Sequence, residues 1–124
     1  MKTERNLIEV EEHDDVTVLR LAATDFVQEQ EARALGSQLG DWLTKEGLGA
    51  RVVLSLAKVT YLNSSALGSL LVFEVKLKRR GGELKLCGLS PQVAEVFRIT
   101  KLDRLFEVYR TEAEALLAFG ARAK

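Results

Sequence analysis

Asn63, Ser64 and Ser65 are the three adjacent side chains in this 124-residue sequence whose position suggests chemistry. They end the loop that starts at Lys58 and precede a run in which Leu67, Leu70, Leu71 and Leu77 mark one helix face. A helix N-terminus leaves four backbone N–H groups without intrahelical partners and carries about half a positive charge, so it suits a hydroxyl cap, an anion or a phosphoryl group. At the level of residue type two roles stay open. Asn63 or Ser64 can be simply the N-cap with Ser65 an ordinary first-turn residue, or the hydroxyls can be displayed for modification.

Other chemistry is scarce. Cys87 is the only cysteine and His13 the only histidine, which leaves no intramolecular disulfide, no zinc cluster of the usual Cys/His kind and no easily assembled Ser-His-Asp triad. No glycine-rich phosphate loop has Walker or Rossmann spacing, and no paired carboxylates stand near Asn63. The expectation is a protein without catalytic residues, metal or cofactor.

Charge argues the same way about partners. Eighteen basic side chains balance eighteen acidic ones, so no net field draws the chain to nucleic acid or to an anionic membrane. The balance is uneven along the chain: residues 1–50 hold five basic and eleven acidic groups, residues 51–124 thirteen and seven, and the simplest reading is solvated faces that attract one another when folded. The polar start, Met1 to Asn6, lacks the apolar core of a signal peptide, and no apolar run reaches the ~18 residues that span a bilayer. We expect a cytoplasmic protein with no membrane insertion.

These residues must be held by a scaffold. With 47% hydrophobic and 29% charged residues the chain is apolar enough to bury a core, and its length predicts one domain over 1–124 with a core from about 7 to 119. Leu7 to Glu11 and Val16 to Leu21 are β-prone and flank the polar Glu12-His13-Asp14-Asp15, which predicts an opening hairpin. Ala32, Leu35, Leu39, Trp42 and Leu43 recur at helical spacing from Gln28 to about Lys45. Arg51 to Leu56 is a nearly continuous apolar run, the pattern of a central strand covered on both faces. Glu83 to Cys87 alternates as a strand, Ser90-Pro91 opens a helix with Val93, Val96 and Phe97 on its apolar face, Leu105 to Tyr109 is a last strand, and Thr111 to Glu114 is a capping box for a last helix. The predicted class is α/β: a mixed, mostly parallel sheet with an opening β-hairpin and covering helices. Sites in such sheets collect where strands end and helices begin, which points to Lys58 to Ser65.

Val52-Val53-Leu54-Ser55-Leu56, then Tyr61 through Gly68, Gly81 through Cys87, Leu89-Ser90-Pro91 and Leu102 through Phe106 together resemble the STAS domain family of bacterial anti-sigma factor antagonists. The resemblance runs from roughly Leu7 to Phe119 and implies a STAS-like fold. In that family the corresponding loop usually reads Asp-Ser-Ser-Gly-Leu-Gly, and its second hydroxyl is phosphorylated by a partner protein kinase. By position, Ser65 matches the phosphoacceptor, Ser64 the serine before it and the alternative acceptor, and Gly68 the second glycine; Asn63 replaces the aspartate and Ala66 the first glycine. Asp25 is the nearest match to an aspartate at the rim after the second strand, where a loop carboxylate or cap is the other reading. The implied function is a regulatory module that docks an anti-sigma factor or related protein kinase through Asp25, Asn63, Ser64, Ser65 and Gly68 and is switched at Ser65. The alternative is a STAS scaffold that is not phosphorylated, within a larger signalling or transporter-associated assembly.

Overall fold

The computed structural model describes residues 6–26 and 28–120; the polar start read from the sequence, Met1 to Arg5, lies outside them. The opening hairpin forms as β1 (Ile8–His13) and β2 (Val16–Leu21), antiparallel, with Asp14 at φ 55° in the turn. β4 (Arg51–Ser55), β6 (Glu83–Cys87) and β7 (Glu107–Tyr109) add to β2 in parallel, so the sheet runs β1-β2-β4-β6-β7. The mixed, mostly parallel α/β architecture expected from the pattern is therefore present. Between the parallel strands run α1 (Glu29–Glu46), α2 (Ser64–Arg79) and α3 (Pro91–Ile99), and α4 (Glu112–Ala118) closes the described chain.

Strand alternation sorts the side chains onto two faces. Leu19, Leu21, Val52, Leu54, Leu84 and Leu86 join Leu35, Leu39, Leu70 and Leu77 of α1 and α2 in the larger core. Val16, Val18, Val53 and Cys87 point the other way, where Ala115, Leu116 and Phe119 cover them. The central strand is thus apolar on both faces because helices lie on both. On α2 the buried stripe is Ala66, Leu70, Phe73, Glu74 and Leu77, whereas Leu67 and Leu71 are only partly buried. The leucine spacing identified the helix but placed its buried stripe slightly off centre.

Glycine is required at Gly82. A Cβ there would lie 2.6 Å from the Ala50 carbonyl oxygen and 2.6 Å from Leu77, so the turn from α2 into β6 admits no side chain. Ser90 caps α3 by accepting from the Val93 N–H, with Pro91 following it, and Thr111 caps α4 by accepting from the Glu114 N–H. Glu114 returns a bond to the N–H of Arg110, one residue before the cap, so the capping box closes one position early.

The second face of the sheet holds Lys85 and Arg20, cations that hydropathy does not reveal. Lys85, 4% exposed, points from β6 toward α4, with its Nζ 2.7 Å from Glu107, 3.4 Å from Glu83 and 4.5 Å from the centre of the Phe119 ring. Burial disfavours its charge, but the hydrogen bond and charge of Glu107 outweigh that and leave its pKa raised. Arg20 of β2 holds Glu112 of α4 through Nε and Nη2 at 2.6 and 2.9 Å and also pairs with Glu11 at 2.6 Å. These bonds tie the short α4, whose apolar contact is small, to the sheet.

The rims of the sheet differ. β1 presents exposed Glu9, Val10, Glu11 and Glu12, the last accepting from the Thr17 hydroxyl at 3.1 Å. At the other end β7 is three residues long, with Glu107 and Val108 exposed. Cys87 is fully buried, and that burial, partly offset by a hydrogen bond with Ser55, pushes its thiol up to about 11. Since thiolate is the reactive form, iodoacetamide at pH 8 is expected to leave Cys87 unmodified in the folded protein and to alkylate it in urea. Rapid labelling of the folded chain, followed by mass spectrometry, would contradict this burial.

Candidate functional site

The segment expected to be a plain loop contains a strand. Tyr61–Leu62 forms β5 and pairs in parallel with Asp25–Phe26, which forms β3, with Asp25 opposite Tyr61 and Phe26 opposite Leu62. The two strands are clasped at both ends. Thr60 donates its N–H and its hydroxyl to the Thr24 carbonyl at 2.6 and 3.0 Å, and the Asn63 N–H donates to the Phe26 carbonyl at 2.9 Å. Phe26 is fully buried in the core beneath. This small ladder brings the segment holding Asp25 against the segment that leads to the serines, and both lie beyond the main sheet.

The N-cap of α2 is Asn63. Its backbone is extended at φ −78° and ψ 175°, and its Oδ1 accepts from the Ala66 N–H at 2.8 Å. Of the two caps that the sequence leaves open, Asn63 takes the role, and Ser64 is the first helical residue and is exposed. Asparagine retains the capping acceptor that an aspartate would supply, but without its charge.

The carboxylate near Ser65 comes from elsewhere. Ser65 Oγ donates to Glu29 Oε1 at 2.6 Å, across from α2 to the first turn of α1, and Glu29 Oε2 lies 3.4 Å from Nε of Arg33 one turn further on. The two helices approach closely beside this contact. Ser69 Oγ donates to the Ala32 carbonyl at 3.4 Å, and a Cβ on Gly36 would come within 2.9 Å of that same Oγ. Below, a cavity of about 370 Å³ runs between α1 and α2, bordered by Glu29, Arg33, Ser65 and Gly68 and floored by Leu39 and Phe73. Gly68 is exposed, and a Cβ there would touch nothing within 4 Å, so packing does not demand this glycine.

On the other side of α2 lies an apolar hollow of about 240 Å³. Tyr61, half exposed, borders it with Leu62, Leu67, Val93 and Val96, which joins α3 to the rim. Tyr61, Val96 and Glu29 were not among the site residues expected from the sequence, where Val96 was read only as part of a helix's apolar face. A half-exposed tyrosine just before the serines was a readable cue, but the contributions of α1 and α3 depend on tertiary packing.

The sequence profile of the STAS domain matches residues 7–115. The chain belongs to the STAS domain family. This STAS chain is 27% identical to the anti-sigma F factor antagonist of Paenibacillus polymyxa over 115 residues, covering 88% of this chain and 91% of that protein. It is 39% identical over 69 residues to BtrV of Bordetella bronchiseptica; that match takes in 56% of this chain and spans only 60% of the relative's length. The crystal structure of an anti-sigma factor antagonist from Mycobacterium paratuberculosis shares the STAS fold at a TM-score of 0.76 and 27% identity, covering 90% of this chain and 91% of that one. No helix among the described residues is long and apolar enough to cross a membrane.

Proposed function

We propose that this STAS chain is a cytoplasmic regulatory module, without catalysis of its own, that docks an anti-sigma factor with kinase activity and accepts a phosphoryl group on Ser65. The observation that carries the reading is the placement of Ser65: its hydroxyl stands in the first turn of α2, on the rim where the β3–β5 ladder gathers Asp25, Tyr61 and Asn63. The names of the P. polymyxa and M. paratuberculosis proteins support the class of partner. The partner surface comprises Asp25, Asn63, Ser64, Ser65 and Gly68, extended by Tyr61 and the apolar hollow toward α3. An exposed tyrosine over an apolar hollow is the kind of feature that anchors a protein interface.

Phosphorylation at this point suits a switch. A phosphoryl group adds about −1.5 to −2 charge, which a helix N-terminus tolerates and a partner fitted to a neutral hydroxyl does not. One observation favours the scaffold as a second reading: the aspartate usual beside the acceptor is Asn63 here, already committed to the cap. Peptide mapping by mass spectrometry separates the two. Incubation with nucleoside triphosphate and a kinase shown to bind the chain is expected to place phosphate on Ser65 and none on the Ser65→Ala protein. Phosphate only on Ser64 would move the switch to that residue, and phosphate on neither serine would replace it with the constitutive scaffold.

A further inference from the structure

Glu29 is the unexplained member of this site. The first turn of α1 has no side-chain cap from Gln28, and the contact from Glu29 to Ser65 fastens that turn to α2 instead. The contact depends on the serine having a proton to donate, because a carboxylate only accepts. Arg33, four residues along and bordering the same cavity, already leans toward Glu29 and is otherwise open to solvent.

We propose that Glu29 and Arg33 exchange roles at Ser65 according to its phosphorylation state: the carboxylate holds the free hydroxyl and the guanidinium holds the phosphate. The inference rests on Ser65 being the acceptor and extends it to how α1 senses the modification. Transfer of the terminal phosphoryl of a nucleoside triphosphate to Oγ releases the nucleoside diphosphate and the hydroxyl proton. The donor that faced Glu29 is then gone, and a near-dianion stands where a carboxylate had been accepting at 2.6 Å. Like charges at that spacing repel, so the Ser65–Glu29 contact opens. Arg33 carries a planar fork of donors suited to two phosphate oxygens, on a long side chain rooted one turn from Glu29. Glu29 is left paired with Arg33 from the side, and the tie between the helices is remade one turn along α1. Asn63 stays out of the exchange because its Oδ1 remains on the Ala66 N–H. The free N–H groups of the first turn of α2 add to the phosphate's stabilisation but do not select between Glu29 and Arg33.

The test uses the full chain with phosphoserine introduced at position 65 during translation, so no kinase is needed. In the wild type the side-chain Nε–H resonance of Arg33 is expected to move on phosphorylation. Arg33→Gln is expected to lower the melting temperature of the phosphorylated chain by about 3 °C or more and to leave the unmodified chain within about 1 °C. Glu29→Gln is expected to act in the opposite sense, raising the phosphorylated chain relative to the phosphorylated wild type. An Arg33 resonance identical in both forms, or either substitution shifting both forms equally, overturns the exchange. Those results would leave Ser65 phosphorylation standing, whereas a natural protein never phosphorylated at Ser65 would remove the switch and leave the measured exchange intact.

Discussion

Leu70→Ala is expected to lower the free energy of unfolding by about 2 to 5 kcal/mol, the range for truncating a fully buried leucine whose surroundings cannot collapse into the space. Leu70 is completely enclosed on the stripe of α2 that faces the sheet, in the cluster that includes Leu54, Leu86 and Leu35. Its neighbours on α1 and the sheet are themselves fully buried, which limits how far they can move in to fill the cavity. Leu71, next in sequence, lies at the margin of the same cluster and is only partly buried. Its replacement by alanine should cost clearly less. Urea unfolding of the two variants beside the wild type checks this ordering, and equal losses would mean that the buried stripe of α2 is misplaced. For Leu70→Ala the melting temperature should fall by roughly 10 °C.

Ser65→Glu is the second large effect and concerns binding. The new carboxylate cannot donate to Glu29 and faces it across the interhelical gap, yet the site is open to water, so the side chain turns outward at little cost to the fold. What changes is the surface offered to a partner. A fixed negative charge in the first turn of α2, on the rim shared with Asp25, Tyr61 and Asn63, should weaken partner affinity at least about tenfold, equivalent to 1.4 kcal/mol. Titration calorimetry with a kinase shown to bind the wild-type chain reads this directly. The melting temperature provides the control and should move by only a few degrees. Undiminished affinity with glutamate at position 65 would place the docking surface away from the α2 N-terminus.

Most of the scaffold was legible because periodicity is a long-range signal. The run from Arg51 to Ser55 reads as a central strand since both its faces are covered, and the caps at Ser90 and Thr111 are local hydrogen-bonding devices that need no tertiary information. Strands β3 and β5 escaped because two residues carry no period; their pairing depends on Thr24, Thr60 and Asn63 meeting across more than thirty residues of chain. Lys85 interrupts a strand as an alternating polar residue, which ordinarily signals solvent, but here α4 covers that face and Glu107 compensates the charge.

The site divides along the same line. Asn63 and Ser65 were identifiable from their position before a helix, and the choice of cap fell to Asn63 only once the Ala66 N–H was located. The lost aspartate suggested a serine without a carboxylate beside it. The carboxylate is present, delivered by Glu29 from another helix, and no local spacing encodes that contact.

The two margins of the sheet bear on how this protein behaves in a crowded solution. An exposed strand edge is a template on which a second chain can pair, and a flat apolar edge invites runaway growth into fibrils. Here β1 is long enough to be such a template, but it carries Glu9, Glu11 and Glu12, and Glu11 is held by Arg20 within the chain. A second copy arriving edge to edge would set one row of carboxylates against another. The opposite margin, β7, offers three residues, too few to hold a partner strand in register. One border resists self-templating by charge and the other by brevity.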